Sequence, residues 1–242
     1  MSVKPGARRF GGVFVTGTDT GVGKTWVSLG LMAALQAQGL SVVGMKPVSA
    51  GCERTPAGLR NNDAVLLQRQ ASVAHPYERV NPVALEPAIA PHIAAAEVGA
   101  PIDFARIERA YRKLAGSADL CVVEGAGGWL VPLSPRKSFA DLAERMGLPV
   151  LLVVAIRLGC LNHAMLSAES IQRRGLPLAG WVANLLASDT PRARENIAAL
   201  DERIRAPRVA TVDYTAKPTV THFQRIFSAE SALRRLDRIR PR

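Results

Sequence analysis

"FVTGTDTGVGKTW", Phe14 to Trp26, sets Gly17, Gly21, Gly23, Lys24 and Thr25 between an apolar run and an apolar helical stretch. Glycine weakens strands and helices alike, so a cluster at their junction marks backbone shaped to hold something. The order is strand (Val13 to Thr16), loop, then a helix beginning near Gly23, the context that a phosphate-binding loop requires. In such a loop successive N–H groups turn inward as an anion nest, and the helix N-terminus adds partial positive charge. Lys24 is expected to reach the β- and γ-phosphates of ATP, and the Thr25 hydroxyl to bind magnesium. Five residues rather than four separate Gly17 from Gly23, a departure from strict GxxxxGK[ST]. The competing reading is a glycine-rich turn carrying a surface lysine.

Outward from this loop, short β-branched runs alternate with helical stretches. Strands are expected at Gly12 to Thr16, Ser41 to Lys46, Leu120 to Glu124, Val150 to Ile156, Ala179 to Asn184 and Arg208 to Val212. Helices are expected at Gly23 to Gln38, Asp103 to Ala115, Ser138 to Met146, Asn162 to Arg174 and Pro191 to Ile204. Asp103 and Ser138 suit N-caps, and Gly39, Gly147 and Gly175 suit stops. Runs such as "LLVVAI" are apolar on both faces, as in parallel strands covered from both sides. The fold class is therefore α/β: a single-domain parallel sheet flanked by helices on both faces, of the phosphate-loop NTPase type, with its core at about 11–215. Residues 51–101 break the rhythm with prolines and read as a long excursion holding one short helix near Asn62 to Gln70. Such excursions beyond strand ends often build ligand sites.

Composition excludes several alternatives. The 242 residues are 48% hydrophobic, enough for a sizeable core. The longest apolar run is strand-sized, and no signal-peptide core follows the N-terminus. Three cysteines, Cys52, Cys121 and Cys160, without a CxxC pair point to reduced thiols and a cytoplasmic protein. The net charge of +11 fits nucleic acid, an anionic membrane or a polyanionic ligand. Aromatic residues are only 5% and no basic run interleaves with them, so neither nucleic acid nor membrane is expected as a partner. The charge thickens toward the end, where a basic helix at about 222–242 is expected.

Two further elements sit where a nucleotide enzyme needs them. "LCVVEGAGG" ends a strand with Glu124, a carboxylate suited to bind magnesium directly or through water, followed by Gly125, Ala126 and Gly127. "VVGMKPVSAG" ends the second strand with Lys46, aimed at the same crevice and able to act as a second cation on a transferring phosphoryl group. In "RLGCLNHAML", backbone N–H groups at Gly159 and Cys160, with the Asn162 amide, are suited to receive a carboxylate; a capped helix with a buried cysteine is the alternative. The four histidines show no metal-ligand spacing.

Taken in order, "GTDTGVGKT", "KPVSAG", "GLRNNDA", "VEGAGGW", "LGCLNHAML" and "GWVAN", from Thr16 to about Asn184, resemble dethiobiotin synthase. The resemblance implies an ATP-dependent ring closure in biotin synthesis: 7,8-diaminononanoate takes up carbon dioxide as a carbamate, ATP phosphorylates it, and the second amine closes a cyclic urea. It implies catalytic roles for Lys24 and Lys46, and magnesium positions at Thr25, Asp63 and Glu124. ATP binding falls on Thr20, Gly21, Val22, Gly23, Lys24, Thr25 and Trp26, on Asp63, and on Glu124 to Gly127. Asn184 is suited to read adenine, with Asp213 and Tyr214 beside the base. The resemblance further implies that the substrate carboxylate is received at Gly159, Cys160 and Asn162 across the two-fold interface of a homodimer.

Two departures stand out. The family's substrate-touching hydroxyl falls at Ala50, with Ser49 before it, so either Ser49 or a backbone N–H takes that contact. Beyond Asn184 the usual adenine-flanking loop is replaced by "VATVDYTAKP". Other readings are a cobyrinate-type amidase, for whose second domain 242 residues leave no room, and an ATPase switch acting on DNA or membrane. The dimeric partition and cell-division ATPases carry an extra lysine early in the loop, and "TDTGVGKT" has none before Lys24.

Overall fold

The computed structural model describes residues 11–228. The first half runs β1 (Gly11–Gly17), α1 (Lys24–Gln36), β2 (Val42–Met45), β3 (Val48–Ser49), β4 (Glu53–Thr55), β5 (Gly58–Arg60), α2 (Asn62–Gln70), α3 (Tyr77–Val80), β6 (Val83–Ala84), α4 (Pro91–Glu97) and α5 (Phe104–Ala115). The second half runs β7 (Leu120–Gly128), β8 (Pro132–Ser134), β9 (Lys137–Ser138), α6 (Phe139–Met146), β10 (Val150–Ala155), α7 (Cys160–Arg173), β11 (Leu178–Asn184), α8 (Ala193–Arg203), β12 (Arg208–Val212) and α9 (Val220–Ser228).

Six strands form one parallel sheet in the order β12-β11-β10-β1-β7-β2, so the phosphate-loop strand lies at its centre. Successive side chains leave a strand on opposite faces, and both faces are buried here. Val13 and Val15 pack with Leu31, Met32 and Phe227 under α1 and α9. Phe14 faces the other way, into a core with Ile107, Phe139 and Ile171 from α5, α6 and α7. The two apolar layers explain why these strands read as continuous hydrophobic runs.

The expected strands and helices are all present, with shifted ends. β7 continues past Glu124 to Gly128 because it keeps pairing with the end of β1, Gly17 opposite Gly128, beyond a register irregularity. Asp103 caps α5 through Ala105 N–H at 2.8 Å, and Ser138 forms a capping box with Asp141. Gly39, Gly147 and Gly175 take positive φ as helix stops. The excursion departs from expectation. α2 spans Asn62–Gln70, but α3, α4 and the short ladders β3/β6 and β4/β5 were not foreseen. Its prolines read as breakers, whereas Pro76 is the N-cap of α3 and Pro91 opens α4, positions where a missing N–H costs nothing.

α9 overlaps the start of the basic helix expected at about 222–242, the rest of which, residues 229–242, lies outside the described residues. α9 lies tight against α1: a Cβ on Gly30 would come 2.3 Å from Phe223 Cβ. Cys52, Cys121 and Cys160 are free and buried. Among the described residues no helix is long and apolar enough to cross a membrane.

Candidate active site

The site forms at the C-terminal ends of β1, β7 and β2. At the loop that follows β1, Gly21 and Gly23 have φ of 73° and 93°, a region side chains avoid. A Cβ at Gly23 would lie 2.2 Å from Asn184 Nδ2. Asn184, buried at the end of β11, donates from that nitrogen to Val22 O at 2.8 Å and so braces the loop. Lys24 is buried and donates to Asp19 O at 2.9 Å, its ammonium folded over the loop. Burial, and then the Lys46 charge, lower the Lys24 pKa to about 8 against the pull of Glu124, Asp63 and Asp19.

Register brings the next residues level. Val15 pairs with Glu124, and Met45 pairs with Val123, so Lys46 emerges beside Glu124. Lys46 Nζ lies 2.6 Å from Glu124 Oε1 and 3.0 Å from Asp63 Oδ2, and donates to Gly125 O at 3.3 Å. Thr25 Oγ1 donates to the same Glu124 oxygen at 2.9 Å. Burial disfavours the Lys46 ammonium, yet the two carboxylates outweigh it and raise its pKa. Burial likewise works against ionised Asp63, and Lys46 prevails in holding its pKa low. Lys46 and Glu124 are buried and Asp63 is partly exposed, so the cluster is a largely buried ion-pair network.

One atom in it lacks a partner. Glu124 is 0% exposed, and its Oε2 accepts no hydrogen bond. A buried carboxylate oxygen left bare is costly, and a cation satisfies it. With the Thr25 hydroxyl and Asp63, Glu124 offers the hard oxygen donors that magnesium prefers. Among the described residues no group of three or more His, Cys, Asp or Glu could hold a metal. A magnesium ion here therefore needs phosphate oxygens or water to complete its shell.

A second concavity opens beside the loop, a cleft of about 500 Å³ lined by Thr18, Asp19, the 128–132 turn and one face of α7. That face carries His163, Leu166, Ser167 and Ser170. Ser167 and Ser170 belong to no motif, Leu166 only closes "LGCLNHAML", and His163 reads only as one of four histidines without metal-ligand spacing, yet their helical spacing is a usable signal. Asn162 is exposed at the start of α7. The expectation of a free N–H at Cys160 needs correction: that N–H donates to Arg157 O at 3.0 Å, because the chain turns tightly through Gly159, with φ 90°, into the helix. Ser49 is buried, its hydroxyl donating to Asn81 at 2.8 Å, while Ala50 beside it is half-buried. Trp26 stacks on Phe223 at 6.1 Å, within the α1/α9 contact. Asp213 and Tyr214 are exposed just beyond β12. Leu158 is fully exposed and Met165 is solvent-facing, as are Leu130 and Leu166, which line the cleft.

A glycine nest on the central strand of a parallel sheet, with a buried lysine and a threonine opening the helix, defines a phosphate-loop NTPase. The AAA domain family model matches residues 11–220. The fold is similar to that of the MinD protein in a MinC:MinD cell division complex from Aquifex aeolicus, with TM-score 0.55 and 15% identity over 95% of this chain and 94% of that one. It is also similar to a ParA family ATPase from Chlorobium tepidum, with TM-score 0.53 and 12% identity over 96% and 97%. At the sequence level the chain is 54% identical to the ATP-dependent dethiobiotin synthetase BioD of Cellvibrio japonicus, over 82% of this chain and 87% of that one. It is 48% identical to the same enzyme of Chromohalobacter salexigens, over 85% and 91%. The chain belongs to the dethiobiotin synthetase family.

Proposed function

We propose that this protein is an ATP-dependent ligase of biotin synthesis, closing the ureido ring of dethiobiotin from 7,8-diaminononanoate and carbon dioxide. The observation that carries the reading is the meeting of two buried ammonium groups, Lys24 and Lys46, with Thr25, Asp63 and Glu124 at the mouth of a phosphate loop. One substrate amine adds to carbon dioxide, forming a C–N bond and releasing a proton to give a carbamate. A carbamate oxygen then takes the γ-phosphoryl group, breaking the bond to the ADP oxygen and giving a carbamic–phosphoric anhydride. The second amine attacks the carbonyl carbon, and the C–O bond breaks with phosphate as leaving group.

The chain's part is positioning and charge. The loop N–H groups and Lys24 hold the β- and γ-phosphates. Lys46 faces the oxygens on which negative charge collects during transfer, where a fixed cation lowers the barrier. Thr25, Asp63 and Glu124 would hold magnesium, which when bound neutralises phosphate charge. Lys46 already pairs with both Glu124 and Asp63, so the network stands preorganised before substrates arrive. In this proposal Asn184 reads adenine with the part of its amide that does not brace Val22 O, and Asp213 and Tyr214 flank the base. The diamine lies in the cleft beside Asp19, its carboxylate toward Gly159 and Asn162. The exposed Leu130, Leu158, Met165 and Leu166 support a homodimer that completes the site across its two-fold axis.

The test is direct. The protein is incubated with ATP, magnesium, bicarbonate and 7,8-diaminononanoate, and the product is weighed by mass spectrometry. Dethiobiotin formed with stoichiometric ADP supports the reading; phosphate release that does not need the diamine overturns it.

A further inference from the structure

Asn81 lies in the excursion, in a stretch with no motif, yet it is one of the few buried polar residues of the described chain, 3% exposed. Its carboxamide is saturated. Nδ2 donates to Lys46 O at 2.7 Å and to Val83 O at 3.3 Å. Oδ1 accepts from Ser49 Oγ at 2.8 Å and from Tyr77 Oη at 3.0 Å. Two donors and two lone pairs are the whole capacity of an amide. The chain continues in two directions from there. Lys46 has just left β2, and its own N–H donates to Val80 O at 2.9 Å, so its peptide groups are gripped on both sides by residues 80 and 81. On the other side, Tyr77 Oη accepts from Asn61 N–H at 2.7 Å. Asn61 caps α2 by accepting from Ala64 N–H at 3.3 Å, and Asp63 sits in the first turn of that helix.

We propose that Asn81 is a positioning residue: through its amide it sets the Lys46 backbone and, by way of Tyr77 and Asn61, the start of the Asp63 helix, so that both ends of the 3.0 Å Lys46–Asp63 pair are aimed from one buried hub. Lys46 leaves the sheet one residue past its last ladder partner and is followed by Pro47, which has no N–H to donate. The sheet ladder therefore does not hold it; Val80 O on one side and the Asn81 amide on the other do. The inference rests on the roles proposed above for Lys46 and Asp63.

A double-mutant cycle on the full chain separates positioning from mere folding. Asn81→Ala is expected to lower kcat for dethiobiotin formation at least about tenfold, with KM for ATP changed less than about threefold, because the phosphate loop is untouched. In a Lys46→Ala background the same change is expected to cost clearly less, about threefold, since one of the two residues it positions is gone and only the Asp63 side remains. Independent, multiplicative losses in the two backgrounds, or an unchanged kcat, overturn the proposal. A normal kcat for Lys46→Ala itself instead overturns the proposed role of Lys46, so the two failures are distinct. Should Asn81→Ala not give a cooperatively folding protein, Tyr77→Phe, which deletes one oxygen, is expected to show the same pattern at about threefold. An unchanged kcat for Tyr77→Phe then counts against the hub.

Discussion

The two halves of the site are built by different means. The phosphate loop between β1 and α1 is a backbone device: positive φ at Gly21 and Gly23, with no room for a Cβ at Gly23. The excursion that carries Lys46 and Asp63 is a side-chain device, held by buried hydrogen bonds among Asn61, Ser49, Tyr77 and Asn81. The first is specified by residues adjacent in the chain. The second joins residues many positions apart, each of an ordinary type. A local device announces itself as a motif, whereas a distributed one does not.

Substitutions can pull the halves apart. The largest effect is expected at their meeting point: Lys46→Ala should lose turnover about a hundredfold or more while ATP still binds, measured by single-turnover kinetics beside nucleotide titration. Near-normal turnover would refute its role. Glu124→Gln keeps the shape but weakens the oxygen pair, and should raise the magnesium concentration for half-maximal rate at least about tenfold. An unchanged magnesium requirement would remove Glu124 from the metal site. Gly23→Ala attacks the backbone half alone. Strain at φ 93° and the clash with Asn184 should weaken ATP binding about tenfold, with the diamine KM unaffected. If ATP affinity held, the loop would be more pliant than its geometry implies.

The smallest effect calibrates the others. Asp141 accepts from Ser138 N–H at 2.6 Å and from its hydroxyl at 2.7 Å, far from the excursion hub. Burial tends to raise the Asp141 pKa, but the Ser138 bonds and Arg174 outweigh it and lower the value. A depressed carboxylate stabilises the fold above its unfolded value of 3.8 and loses that contribution as pH falls through the lower folded value. Asp141→Ala should therefore cost about 1 kcal/mol at neutral pH, with kcat unchanged. The cost should shrink in acid, as denaturant melts at pH 7 and pH 3 would reveal.

The similarity to MinD and ParA proteins at 15% and 12% identity concerns the fold alone. It is the loop chemistry and the match near 50% to dethiobiotin synthetases that separate this chain from them. "GTDTGVGKT" shows the first of these in the sequence, since it has no lysine before Lys24 and a threonine directly after.

The strands of the six-stranded sheet and the helices between them, the sheet's double burial, the glycine loop and the carboxylate at the end of β7 are written in runs of neighbouring residues. Periodicity, glycine and caps act over a few residues, so their signal survives without coordinates. Folding alone revealed that Lys46 is shared by Glu124 and Asp63, that Cys160 N–H turns onto Arg157, that Pro76 and Pro91 start helices, and that Asn81 anchors the excursion. Those contacts depend on strand register and on loops meeting across the sheet edge. Hydrogen bonds of about 3 Å between distant residues leave no periodic trace in the chain that makes them.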